Sequence, residues 1–116
     1  MSGKVETRTL EGGTPLNAAV CIAEGFRAES VNRFLELSVY SPSTEWVDGG
    51  PIIERERISL TGPGPMGPAG GDLSRAWCAN IDTGSFPGYG AVGPTPLVAA
   101  MRVFVLSRLG AEVALP

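Results

Sequence analysis

Residues 95–110 read TPLVAAMRVFVLSRLG, and this stretch decides the fold because it predicts the most clearly bounded helix of the chain. Thr95 can accept hydrogen bonds from the first free amides, Pro96 suits the first helical position, and Gly110 can end the helix. Apolar side chains occupy most sides of the segment, namely Leu97, Val98, Ala100, Met101, Val103, Phe104, Val105, Leu106 and Leu109. A helix that is apolar on most sides belongs inside a protein. We therefore expect a buried central helix.

A second helix with the same opening residues is predicted near the N-terminus. Thr14 can cap its first turn, Pro15 suits its first position, and Gly25 can take the left-handed conformation that follows a helix. One apolar face is formed at helical spacing by Leu16, Ala19, Val20 and Ala23. Before this helix, residues 4–9 predict at most a short strand.

Residues 31–40 fit two different elements. Apolar and polar residues alternate over positions 35–39, which favours a half-buried strand. The spacing of Val31, Phe34 and Leu35 would also fit a helix. We take the strand as the prediction.

The middle of the chain predicts a hairpin. Residues 48–50 (DGG) indicate a corner, after which Pro51 can begin one short turn of helix. A strand over residues 57–60 follows, although the alternation across residues 52–60 would fit a longer strand. Residues 75–81 alternate in the same way and predict the returning strand.

Two glycine-rich loops are predicted beside these strands. Residues 61–71 (TGPGPMGPAGG) are rich in Pro and Gly, so we expect a mobile loop there. A second loop is predicted over residues 82–94 and carries Phe86 and Tyr89. Aromatic side chains on such a loop either cover the core or contact a partner.

These elements predict an α+β fold in which two main helices pack on a small, mostly antiparallel sheet. The chain has 116 residues, which fits a single globular domain over residues 1–116. Its 43% hydrophobic residues can supply one modest core without a disulfide framework or a structural metal.

Composition excludes several functions. The formal net charge is −3 and the nine basic residues are spread along the chain, which disfavours nucleic acid as the main partner. The sequence has no histidine, which removes His-based catalytic triads and ordinary zinc sites. Cys21 and Cys78 lack CxxC spacing, so we expect two buried free thiols. We predict neither a metal nor a cofactor.

The sequence also predicts where the protein works. Its longest apolar run is far shorter than the roughly 20 residues that a membrane span needs, and no secretion signal is recognisable. We expect a small acidic protein that stays in the cytoplasm where it is made and where free thiols stay reduced.

Two blocks of the sequence resemble the NinX-like family of small bacteriophage proteins, in the family's order. They comprise residues 40–44 (YSPST), Trp46 and residues 49–55 (GGPIIER), followed by residues 93–102 (GPTPLVAAMR). The likeness continues through residues 109–113 and the first helix, whereas residues 26–37 and 61–71 depart from the family pattern. The resemblance implies a phage or prophage accessory protein, and it provides no catalytic residues to transfer.

The segment over residues 40–56 is the candidate recognition surface. Its candidate residues, together with one at the start of the last helix, are Tyr40, Ser43, Thr44, Trp46, Glu54, Arg55 and Thr95. The hydroxyls can donate and accept hydrogen bonds, Trp46 offers a flat apolar face, and Arg55 can bind a carboxylate or phosphate. The competing interpretation is architectural: the hydroxyls turn the chain, Trp46 covers the core, and the charges form solvated pairs.

Two functions follow from these residues. The first is a non-enzymatic binding or adaptor module for a host or phage protein. It predicts that Trp46 and Arg55 are exposed together, with Phe86 as a further candidate for the same surface. The alternative is a small carboxylate-based enzyme or a binder of a small anionic ligand, using residues 40–56 and the start of the last helix. Homo-oligomerisation through the apolar last helix is a further possibility.

Overall fold

The computed structural model describes residues 4–37, 39–62, 76–82 and 88–115, which contain four α-helices and five strands. The helices are α1 (Thr14–Ala23), α2 (Ala28–Leu37), α3 (Trp46–Glu56) and α4 (Pro96–Leu109). The strands are β1 (Lys4–Glu6), β2 (Ile58–Thr61), β3 (Trp77–Ile81), β4 (Tyr89–Gly93) and β5 (Glu112–Ala114). A short 3-10 helix (Thr7–Thr9) follows β1. The α+β class is confirmed.

Helix α4 is the central element, as the sequence predicts. The Thr95 hydroxyl accepts a hydrogen bond of 3.1 Å from the Val98 amide, and Gly110 follows the last turn with a φ of 89°. Its buried residues are Leu97, Val98, Ala99, Ala100, Met101, Val103, Phe104, Val105 and Leu106. Because both sheets and the helices α1 and α3 pack on this one apolar helix, α4 sets the position of every other layer.

Two antiparallel sheets flank α4. Strands β2, β3 and β4 form one sheet in that order, with Ile58 opposite Ile81 and Ala79 opposite Ala91. The pairing confirms the predicted hairpin of β2 and β3. All four residues are buried in the same core cluster as α4. Strands β1 and β5 form a separate two-stranded ribbon that joins the two ends of the described chain.

The predicted strand over residues 31–40 is wrong, because helix α2 runs through Leu37. The residues that face inward from α2 and their partners on α1 are Val31, Phe34, Leu35, Ala18 and Cys21. Leu37 and Val39, which the strand would have half buried, are 60% and 57% exposed. Packing against α1 therefore selects the helical spacing over the alternation.

The predicted corner at residues 48–50 is also wrong, since these residues lie inside α3. Gly50 has no Cβ to clash with the ring of Pro51, which makes a helical residue before proline tolerable. Gly49 lies so close to the preceding turn that an added Cβ would stand 2.4 Å from the carbonyl oxygen of Pro42. The helix ends at Arg57, which takes a left-handed φ of 55°.

Several smaller predictions are also corrected. The residue before α1 is Gly13, and no side chain caps this helix, although Gly25 takes the expected positive φ of 93°. The second predicted loop contains strand β4. Phe86 and residues 63–71 of the predicted mobile loop lie outside the described residues. Both cysteines are free, but only Cys21 is buried, since Cys78 is partly exposed.

Within the described residues, no helix combines the length and the apolar content that crossing a membrane would require.

Candidate partner-binding groove

The turn before α3 is fixed by buried hydrogen bonds to α1. The backbone amide and the hydroxyl of Ser43 both donate to Oδ1 of Asn17, at 2.9 and 2.7 Å. The Ser43 hydroxyl in turn accepts from the Gly13 amide at 2.8 Å. On the other side of the turn, the Ser41 amide donates to Oδ2 of Asp48 at 2.8 Å. The turn is therefore held by α1 and α3 together.

A groove lies where α3 and α4 begin. The close approach of Gly49 brings the two helices together, since a Cβ at this position would stand 2.7 Å from Cδ2 of Leu97. The groove has a volume of about 280 Å³. It is lined by Ser43, Thr44, Trp46, Thr95, Pro96, Leu97 and Val98. Four of the seven candidate residues are thus brought together.

The lining residues differ in what they can offer to a partner. The ring of Trp46 is 54% exposed, and Val47 beside it is 78% exposed. Thr44 is also exposed. The hydroxyls of Ser43 and Thr95 are engaged within the protein, with Asn17 and the Val98 amide respectively. Trp46 and Thr44 are therefore the side chains available for contact, while Ser43 holds the turn in place.

Tyr40 and Arg55 converge on a different residue, Glu24 at the end of α1. The Tyr40 hydroxyl donates to Oε2 of Glu24 at 3.4 Å, and Nη2 of Arg55 donates to Oε1 at 2.8 Å. Arg55 also donates through Nε to Glu56 at 2.7 Å, and Glu56 accepts from Arg108 at 2.8 Å. This chain of ion pairs, Glu24 to Arg55 to Glu56 to Arg108, joins the C-terminal ends of α1, α3 and α4.

Both arginines of this network lie over a buried ring. The Cζ atoms of Arg55 and Arg108 stand 5.6 and 5.1 Å from the centroid of Phe104. Arg55 is about two and a half helical turns beyond Trp46, so the two side chains leave α3 on opposite faces. They do not share one surface, so the expected joint exposure of Trp46 and Arg55 is wrong. Glu54 is exposed and belongs neither to the groove nor to this network.

Electrostatics explain the protonation states of the buried groups. Burial, with a smaller contribution from Glu24, raises the pKa of Tyr40 to about 12 and that of Cys21 to about 11. Both groups therefore stay protonated at neutral pH and are poor nucleophiles or bases. Burial also raises the pKa of Glu56, but the hydrogen bonds from Arg55 and Arg108 outweigh it and leave this pKa below its ordinary value.

Across the described ranges, no group of three or more Cys, Asp or Glu side chains is placed to hold a metal ion.

Three parts of the site are not among the candidate residues from sequence. Asn17 anchors Ser43, Glu24 joins Tyr40 to Arg55, and residues 96–98 form an apolar wall of the groove. The signal for Asn17 was available, because it is an amide within a helix of mostly apolar residues. No sequence signal indicates Glu24, whose partners lie 16 and 31 positions away.

The fold and the groove define a small α+β protein with a surface cleft between the starts of α3 and α4. The chain belongs to the family described as Bacteriophage P22, NinX, whose sequence model matches residues 6–108. The match includes the anchored turn, all of α3 and all but the last residue of α4. Among curated proteins, no significant match to the chain is found.

Proposed function

We propose that this phage-family protein is a non-enzymatic binding module that holds a segment of a protein partner in the groove between the starts of α3 and α4. The observation that carries the proposal is the position of Trp46, which is 54% exposed at the edge of a groove with walls of Pro96, Leu97 and Val98. Exposed Trp rings beside a pocket are typical of the residues that contribute most to protein interfaces.

The size of the groove fits a protein partner. The groove measures about 280 Å³, which leaves room for one large side chain. A partner segment would place that side chain in the groove and spread its neighbours over Val47 and Thr44.

The contacts behind the groove also support binding. The hydrogen bonds of Ser43 with Asn17 and Gly13 tie the turn to α1, and the close packing of Gly49 on Pro42 and Leu97 ties α3 to this turn and to α4. A site that is rigid before binding loses less conformational entropy when the partner docks. The buried network would therefore contribute to affinity without touching the partner.

The alternative function, a carboxylate-based enzyme or an anion binder, has weaker support. Arg55 already donates to Glu24 and Glu56, so its guanidinium is neutralised by the protein's own carboxylates. Glu54 is exposed outside the groove and does not face Thr95 across it. These residues do not combine into one reactive site.

The test compares Trp46→Ala with Leu37→Ala, which removes a similarly exposed apolar side chain from α2. Tagged wild type and both variants are used to capture partners from phage-infected cells, and circular dichroism verifies that each is folded. We expect Trp46→Ala alone to lose a specific protein.

The affinity for that protein is then measured with purified components by isothermal titration calorimetry. We expect at least about tenfold weaker binding for Trp46→Ala, as for a typical interface anchor, and unchanged binding for Leu37→Ala. Equal recovery and equal affinity for both variants would overturn the proposal.

A further inference from the structure

We infer that strand β2 pairs with the β2 strand of a second copy of this chain, so that the three-stranded sheets of two copies join edge to edge. This surface is separate from the groove, because no residue of β2 lines the groove. The inference follows from how the edges of the two sheets are covered and from the backbone groups that β2 directs outward.

The other edge of the three-stranded sheet, strand β4, is covered by two arginines. Nη2 of Arg8 donates to the Gly90 carbonyl at 3.2 Å, and Nη1 of Arg102 donates to the Val92 carbonyl at 2.9 Å. Alternate residues of a strand direct their backbone groups to the same side, and both carbonyls are reached from the side of β4 away from β3. The arginines therefore hinder the addition of a strand to β4.

The edges of the β1–β5 ribbon carry charged side chains. Strand β1 contains Lys4 and Glu6 and strand β5 contains Glu112, and all three residues are exposed. Charged residues and prolines on an edge strand discourage pairing with another chain. Strand β2 has the sequence ISLT, with neither a charge nor a proline. Among the strands that the structure describes, β2 is thus the edge that lacks this protection.

The register of the sheet shows which residues of β3 bond to β4. In an antiparallel pair, residues that exchange two hydrogen bonds alternate with residues that do not. Gly90 and Val92 direct their carbonyls away from β3, so the residue between them that bonds to β3 is Ala91. Its partner is Ala79. The residue after Ala79, Asn80, therefore directs its backbone groups to β2.

The same alternation shows which backbone groups of β2 are free. Asn80 lies opposite Ser59, so Ser59 bonds to β3. Its neighbours Ile58 and Leu60 direct their N–H and C=O groups to the other side of β2, where no described strand pairs with them. Unpaired backbone groups on a strand edge are a template for another strand. The edge therefore selects a strand as its occupant.

A second β2 strand fits this edge in an antiparallel arrangement centred on Ser59. Ile58 of each copy then exchanges both backbone hydrogen bonds with Leu60 of the other copy. Their side chains also meet on the face that packs on the core, where Leu60 is only partly buried in one copy. Because the arrangement is two-fold, it closes as a dimer.

The charges beside β2 are compatible with this arrangement. Residues 58–61 are uncharged, so no like charges meet within the paired strands. The exposed residue before the strand, Arg57, comes opposite Thr61 of the second copy and not opposite itself. Self-pairing of β2 is therefore free of the charge repulsion that would oppose it at β1 or β5.

The first test is sedimentation equilibrium from micromolar to millimolar concentration. We expect the wild-type mass to rise towards twice the 12.0 kDa of one chain. Ser59→Glu and Ser59→Lys should each weaken dimerisation by about fivefold, because like charges then stand directly opposite each other. An equal mixture of the two variants should restore it. Asn32→Glu, which adds a charge at an exposed position of α2, is the matched control and should have no effect.

The second test is amide hydrogen exchange, followed by nuclear magnetic resonance. The Leu60 amide should exchange more slowly as the wild-type concentration rises, whereas the Ala91 amide, which bonds to β3 in either state, should not change. Leu60→Pro removes this outward N–H and should abolish the dimer, and proline is tolerated at such an edge position. Circular dichroism verifies that each variant is folded. The Ser59 pair keeps the test decisive if Leu60→Pro does not fold.

The outcomes separate this inference from the proposed function. A monomer at every concentration would overturn the inference. A dimer that Ser59→Glu and Asn32→Glu affect equally, or in which exchange of the Leu60 amide does not depend on concentration, would use another surface and would also overturn it. Trp46→Ala should leave dimerisation unchanged, and a dimer lost in this variant would place the contact at the groove instead of β2.

Discussion

The hydroxyl of Ser43 donates a 2.7 Å hydrogen bond to Oδ1 of Asn17, 26 residues earlier in the chain, and both residues are buried. This bond joins the turn before α3 to the first turn of α1. Asn17 also accepts from the Ser43 amide, so a single amide oxygen satisfies two buried donors. The groove therefore depends on a residue that does not line it.

Asn17→Ala should destabilise the protein, because it leaves the buried Ser43 amide without an acceptor. We expect the free energy of unfolding to fall by about 1–3 kcal/mol, measured by urea denaturation. Ser43→Ala should also be destabilising, and the double variant should lose less than the sum because the two residues share a bond. Thr44→Ala, on the exposed neighbour, should change stability by less than about 0.5 kcal/mol. Additive losses would contradict this coupling.

Gly49→Ala should destabilise α3, since its Cβ would lie 2.4 Å from the Pro42 carbonyl oxygen and 2.7 Å from Leu97. We expect a loss of about 1–3 kcal/mol, measured by thermal and urea unfolding. The adjacent Gly50→Ala is the matched control, because a Cβ there meets open space. Replacing Gly by Ala inside a helix gains about 1 kcal/mol in helix propensity. The following Pro51 opposes this gain, so we expect a small net change in the free energy of unfolding. A larger loss at Gly50 than at Gly49 would contradict the packing.

Glu56→Gln should destabilise the protein at neutral pH and lose its effect in acid. The folded-state pKa of Glu56 lies below its ordinary value of 4.5. The stabilisation by the ionised Glu56 carboxylate is therefore complete above the ordinary pKa of 4.5. It disappears as the pH falls through the lower pKa of the folded state. We expect a difference of about 1 kcal/mol at pH 7 from denaturant curves recorded across the pH range. Glu54→Gln, on an exposed carboxylate, should show little difference at any pH, and equal pH profiles for both variants would contradict the role of the network.

The two thiols should react at very different rates. Cys21 is fully buried and its pKa is raised to about 11, first by burial and then by Glu24, whereas Cys78 is partly exposed. We expect one thiol per chain to react rapidly with Ellman's reagent at pH 8, and the second to react only after denaturant is added. Cys78→Ser should abolish the rapid phase and Cys21→Ser should retain it. A rapid phase that survives in Cys78→Ser would show that α1 opens readily.

Local chemistry made the strongest elements predictable. Helix α4 begins after Thr95 with Pro96 and ends before Gly110, as these residue types indicate. The alternation of apolar and polar residues correctly predicted that β2 pairs with β3. The site was predictable in part, since Ser43, Thr44, Trp46 and Thr95 meet in one groove. Tyr40 and Arg55 were separated from it because their partner, Glu24, comes from another helix.

Helices α2 and α3, which the sequence predicted as a strand and a corner, show where local patterns were not enough. In α2, alternation and helical spacing were both present, and contact with α1 selected the helix. In α3, a Gly-Gly-Pro sequence that is typical of a corner is helical, and Gly49 within it allows the close approach to Pro42 and Leu97. Local propensity is a weak preference that tertiary packing overrides, so contacts between elements decided between the competing patterns.

The sequence by itself determined the central helix, the hairpin, the family and the absence of histidine chemistry, because each of these depends on residue types at neighbouring positions. Only the tertiary structure decided which of the hydroxyls, aromatic rings and charges meet. Ser43 turned inward to Asn17 and Arg55 turned to Glu24, while Trp46 was left at the edge of an open groove. Those choices depend on how α1, α3 and α4 cross, and the crossing is set by packing between residues that lie far apart in the chain.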